Sequence, residues 1–323
     1  MENFKNRLDL SDFSAKVENL KKQIASIIVG LDNAIDLILT ALLADGHVLI
    51  EGVPGVAKTL LAKLTAKLID AQYSRIQFTP DLMPSDVLGT SVFNVKTTEF
   101  EFHKGPIFAE LILIDEINRA PAKTQAALFE VMEERQITIE GFTRKMNDLC
   151  TIIATQNPIE HEGTYRLPEA QLDRFLLKIS VDYPQPVEEL EILKRHNQNK
   201  LLTNLKNIDA IISKEEILTF RNLVSEVFVE ETLLKYITEI IIATRKSSAI
   251  YLGASPRASV ALLNSAKAYS LLQGRDFVTP DDIKFIAIPV LQHRLILSPE
   301  TEMEGYSATV VCNRIIEKIE VPK

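Results

Sequence analysis

The stretch His47-Val48-Leu49-Ile50-Glu51-Gly52-Val53-Pro54-Gly55-Val56-Ala57-Lys58-Thr59 changes from an apolar run to a glycine-containing loop to a helix start. No other feature constrains the fold as strongly. The run before Gly52 reads as a strand buried on both faces, and Leu60, Leu61, Leu64 and Leu68 then recur at helical spacing. A loop of this kind, feeding a helix N-terminus, offers backbone N–H donors and a partial positive charge to a polyphosphate. Gly52, Val53, Pro54, Gly55, Val56, Ala57, Lys58, Thr59 and Leu60 are therefore the candidate nucleotide contacts. Lys58 is placed to reach the β- and γ-phosphates and the Thr59 hydroxyl to ligate Mg²⁺. Ala57 departs from the general GxxxxGK[ST] pattern, and alanine fits there only if its φ is negative, so a negative φ is expected.

Leu111-Ile112-Leu113-Ile114 is a second buried strand, with Asp115 and Glu116 at the end where open α/β sheets place their ligands. Asp115 suits a Mg²⁺ role, and Glu116 suits polarising a water for attack on a γ-phosphate. A third buried strand, Cys150 to Thr155, runs into Gln156-Asn157-Pro158. The Asn157 amide either contacts the γ-phosphate or initiates a turn. Ser74-Arg75-Ile76-Gln77-Phe78 is an alternating strand, Leu167 to Phe175 begins a helix with Pro168 and ends in the Asp173-Arg174 pair, and Leu176 to Val181 is the last strand.

Around this core, Phe13, Val17, Leu20, Ile24, Ile27 and Ile28, then Leu31, Ile35, Ile38, Leu39, Leu42 and Leu43, predict two helices separated at Gly30, with Ser11 or Asp12 as the first cap. Ile28 and Val29 either wall an adenine pocket or simply end a helix. Two hairpins are expected, one turning at Lys96-Thr97-Thr98 and one at Glu140-Gly141-Phe142-Thr143; each is either a solvated ornament or a contact for a substrate. Tyr183-Pro184-Gln185-Pro186-Val187 reads as a stiff extended link. Beyond it, periodic runs at 217–227, 233–244, 257–273 and 281–293 predict a helical second domain. The division is a 1–183 α/β domain, a 184–200 linker and a 201–323 all-α domain.

The 36 basic and 44 acidic side chains give a formal net charge of −8, which argues against generic nucleic-acid binding. No apolar run suggests a membrane span, and Met1 to Lys5 lacks the apolar core of a signal peptide, so a cytoplasmic location is expected. Cys150 and Cys312 lie far apart without a CxxC neighbour and read as packing residues.

Taken together, GVPGVAKT at 52–59, LILIDE at 111–116, TQNP at 155–158, LPEAQLDRF at 167–175 and GASPR at 253–257 resemble the AAA+ ATPases in type and order. Asp115 to Ala120 and Leu167 to Phe175 are similar to the MoxR branch, related to the magnesium-chelatase ATPase subunits. The resemblance implies a P-loop NTPase core, a three-layer αβα sandwich on a parallel sheet, with a smaller all-α lid. It implies ATP and Mg²⁺ as cofactors. Asn157 takes the sensor 1 position, Arg257 that of sensor 2, and Arg174 that of an arginine finger given to a neighbouring copy, in a ring expected to be hexameric. Arg174 could instead pair with Asp173 or Glu169 and support the fold, while Arg119 pairs within its own chain or across subunits. The resemblance also implies a protein substrate, often with a von Willebrand factor A-domain partner. A nucleotide-dependent switch or scaffold with negligible turnover is the alternative, and Glu116 speaks for hydrolysis because a switch needs no water-polarising carboxylate.

Overall fold

A computed structural model of the chain describes residues 8–139, 141–157, 165, 167–198 and 208–322. After α1 (Ser11–Ile27) and α2 (Asp32–Leu43), the chain enters β1 (Val48–Gly52), α3 (Lys58–Leu68) and β2 (Tyr73–Gln77). A short α4 (Pro84–Leu88) leads to the hairpin β3 (Gly89–Asn94) and β4 (Glu99–Lys104). β5 (Leu111–Asp115) and α5 (Ala122–Glu134) follow, then the hairpin β6 (Gln136–Ile139) and β7 (Phe142–Lys145). β8 (Thr151–Gln156), the four-residue α6 (Glu169–Leu172) and β9 (Leu177–Val181) complete the α/β domain.

The five long-range strands form one parallel sheet in the order β2-β5-β8-β1-β9. Strand alternation divides its side chains between two cores. Val48, Ile50, Leu113 and Ile153 pack with α1, α2, α3 and the C-terminal helices. Leu49, Ile112, Ile114 and Ile152 pack with α5 and the segments near the hairpins. Each such Leu or Ile contributes about 1.5–3 kcal/mol on burial, so the αβα layering follows from apolar residues at successive positions of the interior strands.

Helices dominate the remainder: α7 (Pro186–Asn197), α8 (Lys214–Glu226), α9 (Glu231–Lys246), α10 (Pro256–Leu272), α11 (Pro280–Leu291), α12 (Pro299–Met303) and α13 (Ala308–Lys318). A small antiparallel pair, β10 (Ile250–Leu252) with β11 (Ile296–Leu297), interrupts them. The helices from α8 onward belong to the helical lid. It grips the α/β domain through Arg294, whose side chain is only 4% exposed and whose Nε donates to Asp173 Oδ1 at 2.6 Å. The same guanidinium donates to the Phe175 carbonyl at 2.7 Å and the Leu176 carbonyl at 3.1 Å.

Several expectations need correcting. The extended link ends at Gln185, because Pro186 takes the first helical position of α7, where its missing N–H is no loss and its fixed φ suits the helix. Glu188 accepts the Gln185 N–H at 2.7 Å and completes that cap. Neither Ser11 nor Asp12 caps α1: Ser11 is already helical, and Asp9 accepts its N–H at 3.1 Å. Gly30 is left-handed (φ 77°) as a helix stop requires, but two residues past the Ile28 cap. In the second hairpin Phe142 and Thr143 are strand residues, paired with Ile139 and Thr138. Pro158 and residues 201–207 lie outside the described residues.

Cys150 and Cys312 are buried and unbridged, as packing residues should be. Among the described residues His47 and His293 are also buried. Ile152 N–H donates to His47 Nδ1 at 3.1 Å, which leaves Nε2 to donate to the Met132 carbonyl at 3.2 Å. Burial, helped by the Arg135 charge, lowers the His47 pKa from 6.5 to about 3, and burial takes His293 well below 6.5. Unfolded histidines take up protons as pH falls through 6.5 while these two stay neutral, so their contribution is complete above that pH and drains below it. Urea unfolding should show a loss of about 1 kcal/mol per histidine between about pH 7.5 and about pH 5.5. His47→Asn should flatten this slope; an unaltered slope in that variant would mean His47 does not stay neutral in the fold.

Candidate functional site

The parallel register brings the C-terminal ends of β1, β5 and β8 side by side. Ile50 is level with Thr155 and Glu51 with Gln156, while Ile114 is level with Ala154, one residue before Asp115 and Thr155. The loop after β1 therefore opens beside both carboxylates. Gly52 is required there because a Cβ would lie 2.4 Å from the Val181 carbonyl of β9. Gly55 is required for a different reason: its φ is 88°, although the space around it is open.

Ala57 corrects the sequence expectation. Its φ is 59° and ψ 20°, the left-handed region, at the N-cap of α3. The turn from loop into helix demands this conformation, and alanine adopts it at a cost of about 1 kcal/mol relative to glycine. Glu116 is also left-handed, with φ 57° and ψ 50°, where β5 turns into a short 3₁₀ segment, Ile117–Arg119. Non-glycine residues in this region cluster at functional sites because surrounding contacts must hold them. At Glu116 those contacts are visible. Its N–H donates to Thr155 Oγ1 at 3.1 Å, and its carboxylate accepts from Gln77 Nε2 at 2.7 Å and pairs with Arg119 Nε at 3.1 Å. Arg119 thus pairs within its own chain.

Asp115 is buried between two donors, Arg75 Nε at 2.6 Å and Thr155 Oγ1 at 3.2 Å. The hydrogen bond to Asp115 raises the Arg75 pKa. Lys58 is bent back, its Nζ donating to the Gly52 carbonyl at 2.6 Å. Burial lowers its pKa, and the charges of Asp115, Glu116 and Glu51 act in the opposite direction, which places the lysine among these acids. Among the described residues no group of three or more His, Cys, Asp and Glu side chains is arranged to hold a metal. Asp115 and the Thr59 hydroxyl are hard oxygen donors, a sparse set that fits a cation such as Mg²⁺, which keeps waters and takes further oxygens from phosphate.

The remaining candidates fall elsewhere. Asn157 is half-buried just past Gln156, at the C-terminal edge of the sheet. Ile28 is packed into the larger core and Val29 is half-buried beside it. Arg174 pairs with Glu133 of α5 and donates to the Phe129 carbonyl at 3.0 Å, while Arg294 holds the neighbouring Asp173. Arg257, in the first turn of α10, reaches the same carboxylate, Nη2 to Glu133 Oε1 at 2.7 Å. Sequence reading missed Arg75, Gln77, Thr155, Glu133 and Arg294. Arg75 and Gln77 had a signal, being alternate positions of one strand that ends beside the carboxylates.

Comparison with known proteins bears on this geometry. Residues 47–177 match the family model described as "ATPase family associated with various cellular activities (AAA)", and residues 242–315 match the AAA lid domain. The chain is 46% identical over 301 residues to the uncharacterized protein YeaC of Bacillus subtilis, covering 93% of each. It is 42% identical over 322 residues to Chaperone MoxR1 of Mycobacterium tuberculosis, covering 96% of this chain and 84% of that one. A crystal structure of a proposed ATPase from Cytophaga hutchinsonii superposes with a TM-score of 0.88 at 41% identity, covering 96% of both chains.

The left-handed alanine generates a stability test. Ala57→Gly should raise the urea-derived stability by about 1 kcal/mol, since it relieves the αL strain by more than the added unfolded-state entropy. Ala57→Val should lower it by at least as much. A destabilised glycine variant would show that the loop does not take this conformation in solution.

Proposed function

We propose, from the premise that this chain belongs to the MoxR-type AAA+ ATPases, that it binds and hydrolyses Mg-ATP at the interfaces of a ring of copies and uses that cycle to remodel or mature a partner protein. The observation that carries the reading is that Lys58, held on the Gly52 carbonyl at the end of β1, shares one edge of the sheet with Asp115 and Glu116 at the end of β5, with β8 between the two strands. Backbone N–H groups of the 52–60 loop bind the phosphates, and Lys58 exchanges its bond to the Gly52 carbonyl for β- and γ-phosphate oxygens. Asp115 and Thr59 would hold Mg²⁺, which when bound neutralises phosphate charge. Glu116 polarises the attacking water, aimed by Gln77 and Arg119, and Asn157 positions the γ-phosphate. Ile28 and Val29 wall the base.

Arg174 serves a neighbouring copy's nucleotide, and Arg257 contributes a second guanidinium. A guanidinium suits both tasks because it stays charged and forks two donors onto phosphate oxygens. The ring is hexameric by family expectation, with residues 1–183 as the nucleotide domain and 201–323 as the lid. The partner is a protein, with a von Willebrand factor A-domain protein as the first to try, and the name Chaperone MoxR1 of a relative supports the chaperone-like part. Among the described residues no helix is long and apolar enough to cross a membrane; we place the protein in the cytoplasm, without nucleic acid as a partner.

Steady-state ATPase assays test the chemistry. Glu116→Gln should keep ATP binding and lose about 10²-fold or more in turnover, whereas Lys58→Ala should lose binding itself. Near-normal turnover in the Glu116 variant would reduce that residue to a strand terminator.

Mixing tests the shared site. Arg174→Ala should bind ATP but hydrolyse it far more slowly, arginine fingers being worth about 10³–10⁵ in rate. Adding Lys58→Ala protein, which binds no ATP but retains its finger, should restore part of the activity. Co-assembling variants with no recovery, alongside activity per chain that is independent of concentration, would remove the case for a ring enzyme.

A further inference from the structure

Glu133 receives two arginines that come from different domains and are separated by more than eighty positions. It stands in the last turn of α5, with its side chain 33% exposed. Oε1 accepts from Arg257 Nη2 of the lid at 2.7 Å, and Oε2 pairs with Arg174 Nη1 of the α/β domain. Arg174 has a second anchor, the Phe129 carbonyl at 3.0 Å, so it stays in place without the carboxylate. Arg257 is the more exposed of the two, its side chain 65% accessible.

A carboxylate that gives one oxygen to each of two guanidiniums mimics two oxygens of a phosphate. The carboxylate between them offsets the mutual repulsion of the two cations, a modest effect at this exposure. A γ-phosphate, with more charge and three free oxygens, is a stronger ligand for the same pair. We propose that Glu133 is a latch: in the separate protomer it occupies Arg174 and Arg257, and it yields them to the terminal phosphate of a nucleoside triphosphate bound to a second copy. This rests on the reading of Arg174 as serving a neighbour. The latch also ties lid to α/β domain, so its release frees the α10 end of the lid when a loaded neighbour docks. Because both ion pairs are partly exposed, the latch is weak enough for a phosphate to displace.

The experiment measures ATPase activity per chain against protein concentration for the wild type, Glu133→Gln and Glu133→Asp, with melting temperatures recorded alongside. Removing the competing charge should lower the concentration of half-maximal activity by roughly three- to tenfold in Glu133→Gln, the size expected for two exposed ion pairs. Glu133→Asp, which keeps the charge but withdraws it by one methylene, should move the midpoint the same way by less, and it decides the matter if the glutamine variant does not fold. A midpoint that stays or rises in the folded variants, with or without a lower melting temperature, overturns the latch and leaves Glu133 a structural ion pair. A wild type whose activity does not depend on concentration defeats the shared-site reading instead, an outcome the variants cannot imitate.

Discussion

The parallel alignment of β1, β5 and β8 is the constraint on which the rest depends. Hydrogen bonding across Ile50, Thr155, Ile114 and Ala154 makes three strands end at one level, so the loop after β1 and the carboxylates after β5 share one edge of the sheet. Parallel pairing requires crossover helices, and these cover both faces, which is why the strands read as continuous apolar runs. The polar groups at that edge then have few alternatives to one another. Thr155 illustrates this: a single hydroxyl accepts from the Glu116 backbone and donates to Asp115.

Strain is concentrated at the same edge. Ala57 and Glu116 are both left-handed, one at the start of α3 and one at the end of β5, and each costs on the order of 1 kcal/mol or more. Hydrophobic burial on the two sides of the sheet outweighs these costs many times over. What the strain provides is direction. It turns the chain abruptly, into α3 at Ala57 and into the 3₁₀ segment at Glu116.

The phosphate loop, the five strands of the sheet, both hairpins and the helical lid were legible because each rests on local composition: apolar runs, alternation, glycine at a turn. Local reading failed where a residue has two uses. Proline in Gln185-Pro186 suits an extended link and a first helical turn equally well, and α7 follows the second use. The steric rule for Ala57 was sound as a preference but silent on what the adjoining helix would impose. Glu133 and Arg294 were invisible for another reason, since their partners lie far along the chain and no spacing marks a pairing made by the fold. Arg75 and Gln77 lay between, visible as alternating polar positions but without a reason to matter until β2 was seen beside β5.

The four-residue α6 buries none of its own residues, so the turn that carries Arg174, closed by its N–H to the Gln171 carbonyl at 3.2 Å, has little packing beneath it. Its neighbours are held from outside: Asp173 before it and Phe175 after it are both hydrogen-bonded to Arg294, with His293 Nε2 2.9 Å from the Phe175 carbonyl. Arg294 and His293 directly follow α11 of the lid. The peptide that carries Arg174 is thus stapled to the lid although it belongs to the other domain. The guanidinium at its tip is moored instead to Glu133 and the Phe129 carbonyl of α5, so Arg174 is a hinge pin between the two domains, its backbone flanked by the lid's bonds and its head held by the sheet's own helix.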